Sequence, residues 1–185
     1  QRTRKFLSVL LAIMMVLSIF PITASAITSG DWTYSVISEA DKTAKITGYS
    51  GTETNIKIPT VIDDYTITAI GDAAFKNNAT ITNVTIPDGI TSIGRFAFDS
   101  CEVLERVVIP NSITTISYGA FDGCYNLTNV VIPASVTTIE DYAFHLCIRF
   151  EVILYSGTKE QWNAINVSTN GADEFKSATV YYECE

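Results

Sequence analysis

Histidine is nearly absent from this chain: among 185 residues there is one, His145. That excludes a multi-histidine metal site and leaves any Cys-His or Ser-His chemistry resting on a single ring. Basic residues are scarce as well, 12 Lys and Arg against 20 Asp and Glu. No basic patch is visible, and an acidic chain repels phosphate backbones and anionic lipid, so nucleic-acid binding is rejected. Of the five prolines, Pro87, Pro110 and Pro133 recur at one fixed spacing, which turns attention to what the chain does have.

The first segment stands apart. Arg2, Arg4 and Lys5 precede an uncharged run from Phe6 to Phe20, then Pro21 and the small-residue site Ala24-Ser25-Ala26. This pattern reads as a secretory signal peptide, residues 1–26, cut after Ala26. The rival reading is an uncleaved membrane anchor, since the uncharged stretch continues to Gly30. Membrane contact is expected only through this segment, if it stays uncleaved. Its removal takes away three basic residues and no acid, which leaves nine basic against 20 acidic and a net charge of −11. The remainder, 27–185, is long enough for one domain with a core of its own.

Ala-Phe pairs fall at Ala74-Phe75, Ala97-Phe98, Ala120-Phe121 and Ala143-Phe144, at one constant step: 97−74, 120−97 and 143−120 are all 23. Ile-Pro pairs at Ile86-Pro87, Ile109-Pro110 and Ile132-Pro133 keep the same step. A fixed period of this length predicts stacked coils of a solenoid, each burying its apolar side against its neighbours. Four coils span residues 67–158, and a partial coil ending at Ile58-Pro59 precedes them, offset by an insertion in the 60–66 loop. Val84, Val107, Val130 and Ile153 share a column that alternates with outward residues, the period-2 mark of a half-buried strand. Stacking would pair these strands into a parallel sheet that each proline ends, because proline donates nothing to the ladder. A short helical or 3₁₀ turn is expected to carry each Ala-Phe pair, which makes the fold class an α/β repeat solenoid. Residues 27–66 read as an N-terminal cap hairpin with the partial coil, the hairpin being Thr33–Ile37 and Thr43–Tyr49. Residues 159–185 read as a C-terminal cap, with Trp162 over the last coil and a closing strand at Ala178–Tyr182.

The pattern I-x-x-I-x-x-x-A-F-x-x-C-x-x-L-x-x-V-x-I-P resembles the leucine-rich repeats of the BspA type, also called treponemal-type repeats, over roughly residues 34–182. The run Tyr155 to Ile165 also resembles the C-terminal cap often seen in such proteins from gut anaerobes. The resemblance implies a right-handed leucine-rich-repeat superhelix on a secreted or cell-surface protein. It also implies protein binding, with adhesion among the family's roles. A surface glycan is a second class of partner, a structural spacer in a larger surface assembly is the alternative role, and a monomer is expected.

Four cysteines in a secreted chain suggest two disulfides. Yet Cys101, Cys124 and Cys147 share one column, with Asn78 in the first coil. We expect a ladder of thiols acting as small hydrophobes. A bridge is within reach of adjacent coils but disfavoured by side chains that point the same way. Cys184 is expected to be exposed and able to pair between chains. His145 lies two residues from Cys147 but falls in the surface column of Lys76, Asp99 and Asp122, so a nucleophilic pair is not expected. Asp63-Asp64 in the inserted loop offers at most weak calcium binding and reads as a solvated acidic pair, while Glu140-Asp141 and Asp173-Glu174 show no opposing carboxylate. No catalytic, cofactor or metal residues are assigned, and no enzyme activity is expected.

The interaction candidates lie on the sheet. The outward position between the Val and Ile columns is Lys57, Thr85, Val108, Val131 and Leu154 in successive coils. Two positions earlier stand Asn83, Arg106, Asn129 and Val152. This stripe turns apolar toward the C-terminal coils and predicts a partner-docking face of Val108, Val131, Leu154, Val152 and Arg106. A second candidate is aromatic: Phe96, Tyr118, Tyr125 and Tyr142 around the Ala-Phe turns.

Overall fold

The computed structural model describes residues 25–182. Residues 1–24, most of the segment expected to be a signal peptide, and Cys184 lie outside the described residues. The core of the fold is a six-stranded, wholly parallel sheet. Its strands are β4 (Asn55–Lys57), β7 (Asn83–Thr85), β9 (Arg106–Val108), β11 (Asn129–Ile132), β13 (Val152–Tyr155) and β15 (Thr179–Tyr182). Each coil adds one strand in strict register: Val84 pairs with Val107, Val107 with Val130 and Val130 with Ile153. These residues are almost wholly buried, so the valine column faces the interior along the array.

A thinner strip runs along another side of each coil. In it β8 (Ser92–Ile93) pairs with β6 (Tyr65–Ile70). Farther along, β10 (Thr115–Ile116), β12 (Thr138–Ile139) and β14 (Asn166–Val167) form a separate parallel trio. At the amino-terminal end β1 (Ile27–Ser29), β2 (Trp32–Ser38) and β3 (Thr43–Tyr49) form an antiparallel meander, and β3 then pairs parallel with β6. The insertion before the first full coil is a small hairpin: β5 (Val61–Ile62) turns back onto β6 through Asp63-Asp64. Asp63 has a positive φ of 51° and accepts hydrogen bonds from the hydroxyls of buried Tyr34 and of Ser29, at 2.7 and 2.9 Å. That pair latches the meander onto the first coil.

The segments carrying the Ala-Phe pairs are turns, which corrects the helical expectation. In the second coil Ala97, Asp99 and Cys101 donate back three residues, to Gly94, Phe96 and Phe98. The amides between them, of Phe96, Phe98 and Ser100, donate instead to Tyr118, Ala120 and Asp122 in the next coil. The alternation is possible because two residues per coil are left-handed: Ala73, Phe96, Gly119 and Tyr142 in one column, Asn77, Ser100, Gly123 and Leu146 in the other. A left-handed third residue under an i→i+3 bond is a type II turn, and it cannot propagate a helix. Among the described residues helices occur only at the carboxyl-terminal end, α1 (Lys159–Asn163) and α2 (Asp173–Ser177). The first is set by a capping box in which Thr158 and Gln161 exchange side chain and backbone bonds.

Glycine is needed in the left-handed column at one place. A Cβ on Gly119 would stand 2.6 Å from the Phe96 ring, at φ +60°. Gly119→Ala is expected to cost about 1–2 kcal/mol, the penalty of a left-handed Cβ, read as a lower urea midpoint at unchanged slope.

Inside the coils the phenylalanines form a stack. Phe75, Phe98, Phe121 and Phe144 follow one another at centroid distances of 4.7, 5.3 and 5.3 Å, with planes within 7° of parallel. Trp32 and Tyr49 close the stack at the front; Phe175, and Trp162 beyond it, close it at the back. Beside the rings runs the cysteine column. The thiols of Cys101, Cys124 and Cys147 donate to the carbonyls of Phe75, Phe98 and Phe121, at 3.0 to 3.2 Å. In the first coil Asn78 takes the slot and accepts from the amides of Thr80 and Ile81.

Candidate functional site

The outward positions of the main sheet make two rows, fixed by strand register. One row is Lys57, Thr85, Val108, Val131, Leu154 and Tyr181. The other is Asn55, Asn83, Arg106, Asn129, Val152 and Thr179. The expected anchors therefore do come together. Val108, Val131 and Val152 are half-buried, as neighbours on a sheet surface must be, while Arg106 is exposed. Leu154 is 38% exposed, and Tyr181, one rung farther, is 57% exposed. The face grades from a lysine at one end to an apolar and aromatic end at the other.

Tyr181 is the member that sequence reasoning missed. Its strand belongs to a coil with no visible period: Val180 pairs with Ile153 and Asn166 with Thr138, both off the regular step. The alternation in Thr179-Val180-Tyr181-Tyr182 was the available signal: Val180 is half-buried and Tyr181 is exposed.

The aromatic candidates form a second feature, on the turn side. Phe96, Tyr118 and Tyr142 meet edge to face at 5.3 and 5.5 Å, and His145 follows Tyr142 at 5.3 Å. Arg95 lies over the Tyr118 ring and Lys76 over that of Phe96, at 4.6 and 5.4 Å. Tyr125 stands apart from this ladder and is exposed. The column expected to be plain surface is a set of polar pairs: an ion pair of Lys76 with Asp99 at 2.6 Å, and a hydrogen bond between His145 Nδ1 and Asp122 at 2.9 Å. Asp99 is in fact buried. His145 thus turns to Asp122 while the Cys147 thiol turns inward to Phe121. Burial pushes the Cys101 thiol up to about 12 and that of Cys124 well above its ordinary value. Thiols held protonated in this way are inert as nucleophiles. Cys101 and Cys124 are free thiols. Among the described residues no three His, Cys, Asp or Glu side chains gather as a metal would require, and no helix is long and apolar enough to cross a membrane.

A sequence profile of the BspA type leucine rich repeat region, in 6 copies, matches residues 49–167. The chain belongs to the BspA-type leucine-rich repeat family. Solved structures resemble it in the same sense. A leucine rich cell surface protein from Faecalibacterium prausnitzii is 26% identical with a TM-score of 0.67, over 79% of this chain and 43% of that one. A leucine-rich repeat protein from Bacteroides capillosus is 31% identical with a TM-score of 0.62, over 72% of this chain and 99% of that one. The T. pallidum leucine-rich repeat protein is 21% identical with a TM-score of 0.63, over 85% of this chain and 64% of that one, and shows the shared fold. The chain thus spans under half the length of the first of these relatives and just under two thirds of the third. No curated protein matches. Leucine-rich repeat solenoids of this kind are typically scaffolds for interaction, so what distinguishes one BspA-type chain from another is the set of residues its coils turn outward.

Proposed function

We propose that this chain is a secreted or surface-displayed binding protein that docks an extracellular protein on its main sheet, in the manner of an adhesin. The observation that carries the reading is the register row Val108, Val131, Leu154 and Tyr181, flanked by Val152 and Arg106. Interfaces are anchored by a few apolar and aromatic side chains at their centre, with arginine enriched among them. A parallel sheet stapled coil to coil presents those anchors without an ordering cost, which favours affinity. Arg106 and the acidic residues around the sheet would set specificity and rate of encounter more than strength.

The test is capture of extracellular host proteins, and of the producer's own envelope proteins, by the full chain and by the double variant Val108→Glu/Val131→Glu. Both positions are half-buried at the surface, so the variant is expected to keep its circular dichroism. A captured partner should bind the variant at least about tenfold more weakly, a loss of about 1.4 kcal/mol or more. Equal capture by a folded variant would remove the sheet face from consideration. No specific capture by either protein would favour the spacer role.

A further inference from the structure

A second surface departs from the repeat in the fourth coil, beside the lengthened connection to β14. Beside β12 lies a groove of about 300 Å³, lined by Tyr118, Thr138, Ile139, Glu140, Asp141, Asn166 and Ser168. The column of Glu140 holds Gly71, Gly94 and Ser117, and a Cβ on Gly94 would stand 2.5 Å from the backbone nitrogen of Asp72. In the fourth coil that small residue is a glutamate, which reaches back to accept the Tyr118 amide at 2.8 Å. Asp141 shares the column of Asp72, whose carboxylate accepts the Arg95 amide at 2.8 Å. Asp141 receives no such bond: its Oδ1 is enclosed and has no hydrogen-bond partner among the described residues. A carboxylate oxygen shut in without a donor is costly and calls for an explanation. On the far wall the lengthened connection between β12 and β14 brings in Asn166 and Ser168. No hydrogen bond among the described residues engages the side chains of Thr138, Asn166 or Ser168.

We propose that this groove binds one neutral pyranose ring of a glycan. Its lining holds two carboxylates and no cation, so an anion is repelled. Hydroxyls and an amide offer donors and acceptors together, and a sugar hydroxyl is both. An ammonium or a calcium ion would use the acceptors alone and leave the Asn166 amide donors idle. The volume lies at the lower end of the roughly 300–1,000 Å³ of small-molecule sites, room for one ring and not for a peptide segment. Tyr118 forms part of the groove wall, and its position is fixed by Phe96, Tyr142 and Arg95. Asp141, whose terminal torsion is soft, turns its unpartnered oxygen to a sugar hydroxyl. The proposal does not rest on docking at the main sheet, which faces elsewhere on the coil.

The test is amide-resolved NMR titration of the full chain with glucose, galactose, mannose and N-acetylglucosamine in turn, then with calcium chloride and with N-acetyl-lysine amide. One of the sugars is expected to shift the amides of Thr138, Asn166 and Ser168 in a saturable way and to show saturation transfer to its ring protons. Asn166→Ala and Asp141→Ala, both outside the buried core, should each weaken that response about tenfold, the loss of one hydrogen bond with a charged or amide group. Val108→Glu/Val131→Glu should leave it intact, which separates this site from the sheet face. The proposal is overturned if no sugar shifts these amides, if calcium or the lysine amide shifts them and the sugars do not, or if the sugar response survives both substitutions.

Discussion

Replacing Phe121 by alanine is expected to remove about 3–5 kcal/mol of stability, the usual range for deleting a fully buried aromatic side chain. Phe121 has no solvent exposure and lies between Phe98 and Phe144, 5.3 Å from each. Three features place the loss at the upper end. The side chain gives up its buried apolar area. Two stacked partners lose their ring contact, worth roughly 0.5–1.5 kcal/mol per pair. The cavity cannot collapse, because the coil spacing is held by strand pairing on one side and by the turn amides on the other. Coils contact only their neighbours, so a break in the middle also uncouples the two halves of the array. In thermal unfolding the midpoint should fall by roughly 10 °C for a chain of this size, and the transition should broaden as the halves separate. A change within about 1 kcal/mol would mean that the stack is ornament on a fold held by its backbone ladders.

That stack was legible in the sequence because its members recur at one spacing and nothing else in a coil competes for the interior. The same holds for the Val107, Val130 and Ile153 column and for the thiols beside the rings. What was not legible lies where spacing fails or where backbone geometry outweighs composition. The Ala-Phe segments have residues suited to a helix, yet alternate amides are drawn to the next coil, and only a neighbour in space reveals that. The last coil reads only as a cap with a closing strand, because Phe175 enters the stack behind Phe144 from a helix of its own, out of step with the repeat. Of the candidate site, Val108, Val131 and Leu154 follow from register alone. Tyr181 does not, because its rung lies beyond two insertions. The pairings of Lys76 with Asp99 and of Asp122 with His145 were hidden for another reason: a column of polar and charged residues reads as solvated surface until the coils are stacked.

Alkali should unfold this protein well before it damages the backbone, and the buried thiols set the window. The folded pKa of Cys101 is about 12 and that of Cys124 is well above the ordinary thiol value, both raised first of all by burial. In the unfolded chain a cysteine gives up its proton near pH 8.5. Between those values the folded state holds protons that the unfolded state has released. The unfolded state therefore binds fewer protons, and stability falls as pH rises. Below about pH 8 both states are protonated and the two thiols contribute no pH dependence. Above about pH 9 Cys101 contributes a decline approaching about 1.4 kcal/mol per pH unit, and Cys124 acts in the same direction. Tyr34 adds to the decline at higher pH, because its hydrogen bond to Asp63 raises it to about 12. Denaturant midpoints measured from pH 7 to 11 should stay level and then descend, and Cys101→Ala/Cys124→Ala should flatten the descent between pH 9 and 10 while lowering the plateau. A descent that the double variant leaves unchanged would place the titrating groups elsewhere and would mean that these slots admit the thiolate. In that case an aromatic disulfide reagent should label both cysteines in the native protein at pH 9, whereas thiols locked in the protonated form react only as fast as the coils open.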